Sequence, residues 1–118
     1  MNRNKAFAIR SEVRQYPGLR RMVFLYALAG RELIGSLDLG DIQQQVPWIG
    51  SLWVRPRHRR RGVGRALMLA AIDRCRRMRR PSVTLWVERT NRKALAMYRS
   101  LGFIQASVRK SQMMVLGL

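Results

Sequence analysis

Between Trp48 and Glu88 the sequence changes its hydrophobic period twice, and that stretch constrains the fold most. Trp48–Val54 (WIGSLWV) is an apolar, aromatic-rich run, and Pro56 stops it as a strand. From Val63 to about Met78 the residues Leu67, Ala71, Cys75 and Met78 follow helical spacing. Arg65, Arg76, Arg79 and Arg80 fall on the other side, and Pro81 ends the helix. Ser82–Glu88 (SVTLWVE) then alternates Val83, Leu85 and Val87 against Thr84 and Trp86, the pattern of a strand. A strand, a helix and a strand in that order need a crossover, so Trp48–Val54 and Ser82–Glu88 are expected to lie parallel.

The flanking segments read as hairpins. Ala6 to Ile9, followed by Ser11 to Arg14, reads as a strand, and Tyr16-Pro17-Gly18 as a turn. Arg21–Ala29 and Glu32–Leu39 pair across Ala29-Gly30-Arg31, with Asp38 on the polar side. Gly40 to Pro47 is a loop. Asn91 is an N-cap for a helix over Arg92–Leu101, and Gly102 is its C-cap. Phe103–Val108 and Gln112–Leu116 form a last hairpin across Arg109-Lys110-Ser111. Both terminal hairpins are expected to be antiparallel. No repeat, linker or boundary interrupts the 118 residues, which read as a single domain over 1–118.

Composition excludes several classes. A hydrophobic content of 47% fills one core and rules out a disordered chain, a collagen or a disulfide-stapled miniprotein. Cys75 is the single cysteine and cannot make an internal disulfide, which suggests a reducing, cytoplasmic setting. MNRNKAFAIR lacks a signal-peptide core, and the apolar run Met22–Ala29 is too short to span a bilayer, so no membrane association is expected. The net charge is +18, from 24 basic and 6 acidic residues, and only Lys5, Lys93 and Lys110 are lysines. Such a chain attracts phosphates, nucleic acid or acidic proteins whatever its fold. An arginine-biased coding sequence accounts for the same excess.

Chemistry concentrates between Val54 and Leu67, where a strand leads through a glycine-bearing loop into a helix. The first turn of a helix presents unpaired N–H groups and the positive end of the dipole, an anion site. Gly62 and Gly64 let a phosphate approach the backbone, and Arg57, Arg59, Arg60 and Arg61 add positive field. The ligand expected here is a phosphate or pyrophosphate. The dinucleotide fingerprint G-x-G-x-x-G fails, because Leu67 stands at its third glycine. The P-loop fails too, since no G-K-[ST] follows.

What fits is V-x-P-x-x-R-x-x-G-x-G, read from Val54 to Gly64. Here the sequence resembles the GNAT family of N-acetyltransferases, whose acetyl-coenzyme A signature is [QR]-x-x-G-x-[GA]; Arg59, Gly62 and Gly64 occupy its positions. A second block is similar to the family's L-x-V…N-x-x-A-x-x-x-Y-x-x-x-G-F: Leu85, Val87, Asn91, Ala94, Tyr98, Gly102 and Phe103. Together the blocks span Val54–Phe103, about half the chain.

The resemblance implies an α+β acyl-CoA N-acyltransferase fold. That fold is a mixed, mostly antiparallel sheet with a central parallel strand pair and flanking helices. It implies that the parallel strands splay apart and hold the pantetheine arm against the backbone of Leu52, Trp53 and Val54. The pyrophosphate would rest on N–H groups of Arg59, Arg60, Arg61, Gly62, Val63, Gly64 and Arg65. An amine would attack the thioester directly in a ternary complex. A backbone N–H near Trp53 or Val54 would steady the oxyanion, and Tyr98 would protonate the leaving thiolate. Asn91 would hold the coenzyme arm or only cap its helix.

Plainer readings stand beside these. Tyr98 lies three residues from Leu95 and from Leu101, as a core tyrosine would. His58 reads as a surface histidine, Cys75 and the methionines as core, and Trp48, Trp53 and Trp86 as sheet-packing residues. The tryptophans could also stack on an adenine or an aromatic acceptor. With one histidine and no cysteine cluster, no metal site is expected.

Two departures from the family bear on function. Its two helices between the first and second strands do not fit into roughly Arg10 to Arg20, so the acceptor side is open or completed by another subunit, and a homodimer is plausible. The glutamate that some members carry in the fifth strand is replaced by Trp86, leaving Glu88 as the nearest acid; it acts through water, or only pairs with Arg89 or Arg92. An amine arriving deprotonated needs no protein base. The acceptor is a small molecule, a peptide or an aminoacyl-tRNA. The competing readings are a non-catalytic binding module of this fold and a basic nucleic-acid-directed or tRNA-directed protein, with Arg55–Arg61 and Arg74–Arg80 as its patches.

Overall fold

In a computed structural model the described residues are 6–15, 17–18, 21–106 and 111–118. Seven strands form one sheet: β1 (Ala8–Gln15), β2 (Arg21–Ala29), β3 (Glu32–Gly40), β4 (Trp48–Val54), β5 (Ser82–Glu88), β6 (Ile104–Gln105) and β7 (Ser111–Gly117). The helices are α1 (Val63–Arg77) and α2 (Arg92–Ser100), and a single 3-10 turn covers Pro56–His58. The strand order is β1-β2-β3-β4-β5-β7-β6. Among the described strands only β4 and β5 run parallel, as the crossover through α1 requires. The Arg109-Lys110 turn of the last hairpin and Tyr16 of the first turn lie outside the described residues.

One face of the sheet carries the core. Alternation turns Val23, Leu25 and Ala27 of β2, Leu37 and Leu39 of β3, and Val83, Leu85 and Val87 of β5 inward. They meet Val63, Leu67, Met68, Ala71, Ile72 and Cys75 of α1 and Leu95 and Tyr98 of α2 in one cluster. Burying each such aliphatic side chain contributes about 1.5–3 kcal/mol. Gly35 sets how close α1 comes: a Cβ there would stand 2.9 Å from the Trp53 carbonyl and 3.2 Å from Leu67 Cδ1.

The opposite face is bare of the described helices. Register places Tyr26 beside Ser36, Ser36 beside Trp53, Phe24 beside Asp38 and Asp38 beside Gly50 on it. Thr84, Trp86 and Glu88 continue it across β5. Because β1 ends at Gln15 and β2 opens at Arg21, their connection has no length for a covering helix. Trp86 is therefore 60% exposed and Trp53 40% exposed, which corrects the expectation that both pack against the sheet. Trp48 does pack. Its indole lies across Gly40 and Gly50, where a Cβ on Gly50 would come within 2.8 Å of the ring, and its Nε1 donates to Asp41 Oδ2 at 3.1 Å.

Both helices close the same way. At α2 the N–H of Gly102 (φ +101°) donates to Arg99 O and that of Phe103 to Tyr98 O, both at 3.0 Å, which is the Schellman motif. Phe103 thereby folds inward onto the Tyr98 ring, centroids 6.1 Å apart, instead of opening a strand; β6 shrinks to Ile104–Gln105. At α1 the same pattern uses Arg79 (φ +58°), with Arg79 N–H donating to Arg76 O and Arg80 N–H to Cys75 O. Arg80 is not on a solvated side: its guanidinium donates to Ile42 O at 3.0 and 2.7 Å and clamps the β3–β4 loop.

Candidate active site

The parallel pair is joined only at its start. Trp48 pairs with Thr84 and Ile49 with Leu85, and beyond them β4 and β5 part. The cause is a bulge. On β4, Gly50 opposes Asp38 and Trp53 opposes Ser36, so Ser51 and Leu52 together face Leu37. Ser51 takes a left-handed φ of +55°, which costs a non-glycine residue about 1 kcal/mol. β5 stays paired with β7 along its whole length. The resulting wedge opens a cavity of about 280 Å³ whose lining includes Ser51, Leu52, Glu88, Asn91 and Tyr98.

On the helical side this wedge continues into a groove of about 520 Å³, with Leu52 shared between the two. Val54, Arg59, Arg60, Gly62, Val63, Gly64 and Arg65 form one wall. Gly62 caps α1 with φ +81° and no side-chain hydrogen bond, and no acidic residue lies in the first turn. The first helical hydrogen bond is Ala66 N–H to Gly62 O, so the N–H groups of Val63, Gly64 and Arg65 have no backbone partner in the helix. A Cβ on Gly62 would meet nothing within 4 Å, and one on Gly64 only Val54 at 3.6 Å, so the approach to these donors is clear. Unpaired N–H groups at a helix N-terminus suit an anion, which is what the sequence leads one to expect here.

The arginines divide into two groups. Arg57 hydrogen-bonds Glu32, while Arg55 donates twice to Leu33 O and sits 3.4 Å from the same carboxylate. His58 Nε2 lies 3.5 Å from Glu32 Oε1, half-buried against the groove, so it is no free surface histidine. The hydrogen bond from Arg57 holds the Glu32 carboxyl below its ordinary range, and the Arg57, Arg55 and His58 charges add to that. Arg59 braces the loop by donating from Nε to Val54 O at 3.1 Å. Arg60 and Arg61 are exposed at the turn, and Arg60 takes a φ of +62°. The Arg65 guanidinium is engaged by α2, donating to Ser100 Oγ at 2.9 Å.

The second block comes together with the first through α2. Asn91 Oδ1 accepts from Ala94 N–H at 3.3 Å, so the N-cap reading holds, and the residue also lines the wedge. The ring of Tyr98 is buried, yet its hydroxyl makes no hydrogen bond with any described residue and is not sealed from solvent. Burial pushes its phenol above the ordinary value. Glu88 is exposed at the rim of the same cavity. Trp53 belongs to the bare face; its indole carries the Arg55 guanidinium at 5.6 Å, and it lines neither the wedge nor the groove. Lys93, Ala94 and Met97 form the far wall of the groove, and of these only Ala94 was carried by a motif. Among the described residues no His, Cys, Asp or Glu cluster could hold a metal ion. No described helix is long and apolar enough to cross a membrane.

An antiparallel sheet with one splayed parallel pair, opening onto a helix N-terminus, defines an acyltransferase fold. The chain belongs to the acetyltransferase (GNAT) family, whose model matches residues 4–103. It is 42% identical over 60 residues to the [ribosomal protein bS18]-alanine N-acetyltransferase of Escherichia coli strain K12. That stretch is 49% of this chain and 39% of the relative, so the likeness spans well under half of the relative's length. Among solved structures it resembles the PaiA N-acetyltransferase of Thermoplasma acidophilum in complex with coenzyme A. The TM-score is 0.76 at 23% identity, over 82% of this chain and 61% of that one. An acetyltransferase of Bacillus subtilis in complex with CoA aligns with TM-score 0.80 at 16% identity, over 95% and 99% of the two chains. At these identities the structural likeness concerns the fold.

Proposed function

We propose that this chain transfers an acetyl group from acetyl-CoA to a primary amine by direct attack in a ternary complex. The observation that carries the reading is the uncapped, glycine-opened N-terminus of α1 standing at one end of the β4–β5 wedge, with Tyr98 at the wedge itself. The diphosphate of the coenzyme rests on the N–H groups of Val63, Gly64 and Arg65, with Arg59, Arg60 and Arg61 supplying field. The pantetheine arm follows Leu52 and Val54 into the wedge. The acceptor enters from the other end, because the coenzyme fills the first.

The amine nitrogen forms a bond to the thioester carbonyl carbon, and the carbon–sulfur bond breaks. A β4 backbone N–H near Trp53 or Val54, where β4 has parted from β5, stabilises the oxyanion. Tyr98 gives its phenolic proton to the departing thiolate; its raised pKa keeps that proton in place until sulfur develops charge. Glu88, at the rim, takes the proton lost by the amine through water. Asn91 fixes the start of α2 and so the position of Tyr98. The name of the Escherichia coli relative, an enzyme acting on an alanine, supports the α-amine of a polypeptide as the acceptor.

Isothermal titration with acetyl-CoA, followed by thiol release on adding amines, tests this. Saturable binding and acceptor-dependent release of CoA are expected. An absence of binding overturns the reading, and binding without transfer to any amine or peptide reduces the chain to a coenzyme-binding module.

A further inference from the structure

The groove on the helical side of the wedge is lined by His58, Arg59, Arg60, Arg65 and Lys93 among its basic residues. Three of these are held by the protein itself. Arg59 donates from Nε to Val54 O at 3.1 Å, Arg65 donates to Ser100 Oγ at 2.9 Å, and His58 lies 3.5 Å from Glu32. Arg60 and Lys93 differ. Both are exposed, and among the described residues neither side chain has a hydrogen bond or an ion pair. None of the six acidic residues of the chain lies outside the described residues, so no further carboxylate is left to pair with them.

These two cations stand on opposite walls. Arg60 belongs to the turn that leads into α1, and Lys93 to the first turn of α2, where Ala94 and Met97 continue the wall. Two like charges that face one groove of about 520 Å³ without a counter-ion favour an anion between them.

The chemistry of coenzyme A says which anion. It carries two kinds of phosphate. Each phosphorus centre of the diphosphate bears a single charge, whereas a phosphate monoester such as the one on the ribose bears about −1.5 to −2 at pH 7. Under the transferase reading the diphosphate rests on a cradle of the N–H groups of Val63, Gly64 and Arg65, all on the α1 wall. The monoester is the more highly charged group and offers three terminal oxygens. It suits full side-chain charges, with the planar fork of Arg60 on one side and the point charge of Lys93 on the other.

Resting on that reading, we infer that Arg60 and Lys93 hold the ribose phosphate of coenzyme A between the two walls of the groove. They select by affinity for the 3′-phosphorylated coenzyme against its dephosphorylated form.

The test titrates the full chain with acetyl-CoA and with acetyl-dephospho-CoA, which lacks only the ribose phosphate. Acetyl-CoA is expected to bind at least about tenfold more tightly, and the gap narrows as salt rises. Lys93→Met keeps an apolar stem against the groove and should shrink that ratio to about threefold or less. Arg60→Asn should do the same, because asparagine tolerates the φ of +62° found there. Arg76→Gln removes a charge of the same sign from the last turn of α1 and should leave the ratio unchanged. Equal affinities of the wild type for the two coenzymes overturn the inference and leave the transferase standing. So does an undiminished ratio in Lys93→Met or Arg60→Asn. Losses in Lys93→Met that are equal for both coenzymes move the pair to the diphosphate, and a ratio that shrinks as much in Arg76→Gln reduces the effect to overall charge; either result also overturns the inference. A chain that binds neither coenzyme overturns the transferase reading itself, and the inference with it.

Discussion

The two mouths of the β4–β5 wedge are built from opposite materials. The mouth on the helical side is made of backbone: two glycines, a left-handed cap and three unpaired N–H groups, surrounded by guanidinium groups. The mouth on the bare side is made of side chains, with two indoles and nearby carboxylates and, among the described residues, no lining cation. Backbone donors suit a ligand part that is the same in every reaction, a diphosphate. Side chains can be exchanged without disturbing the sheet, so they suit the part that distinguishes one acceptor from another. The bulge at Ser51 separates the two, because it is what pulls β4 away from β5.

The largest expected effect comes from placing a negative charge in the backbone mouth. Gly62→Asp should weaken acetyl-CoA binding by roughly a hundredfold, by like-charge repulsion at the cradle. Gly62→Asn, which tolerates the same φ of +81° about as well, should lose far less. Equal losses in the two titrations would assign the effect to the backbone and remove the anion cradle from the account.

Between the mouths, Tyr98→Phe should lower kcat by about a hundredfold with acetyl-CoA affinity unchanged, the usual size for a lost proton donor. The tyrosine holds its proton more tightly than usual, so the ratio of wild-type to variant kcat should stay flat from neutral pH up to the ordinary tyrosine pKa. Equal turnover returns Tyr98 to the core. A ratio that falls away below that pH contradicts the raised pKa.

The smallest effect belongs to the scaffold beneath both mouths. Burial pushes the Cys75 thiol from 9.0 up to about 11. The folded state therefore keeps its proton where the unfolded chain has lost it, and stability falls as pH rises from 9 toward 11. The loss is on the order of 2 kcal/mol and should vanish in Cys75→Ala, as read by denaturant unfolding at pH 8 and 10.5. A Cys75→Ala profile parallel to that of the wild type would place the titration elsewhere.

The backbone mouth was legible in the sequence and the side-chain mouth was not. Pro56, Gly62 and Gly64 punctuate the chain locally, and the strand–loop–helix order tells what the glycines are for. β4 and β5 fell where alternation and flanking prolines put them. Trp86 misled because an indole in a strand favours the pleated surface equally on the covered and the bare face. Arg80 read as solvated because its target, the Ile42 carbonyl, lies 38 residues away. His58, Lys93 and Met97 gave no signal, since they meet only once α2 docks beside the start of α1 through Arg65 and Ser100. The Ser51 bulge was silent for a different reason: a serine with positive φ has no local mark, unlike the glycine at Gly102. Phe103 reads as a strand residue in the sequence because its role, closing α2 onto Tyr98, belongs to a helix end and not to an alternating run.

The most direct measurement is a crystal structure of the chain grown with acetyl-CoA. The account predicts the diphosphate on the N–H groups of Val63, Gly64 and Arg65, and the acetyl carbon in the wedge within reach of the Tyr98 hydroxyl. A coenzyme seated on the bare face, or phosphates held by side chains away from Gly62, would contradict it.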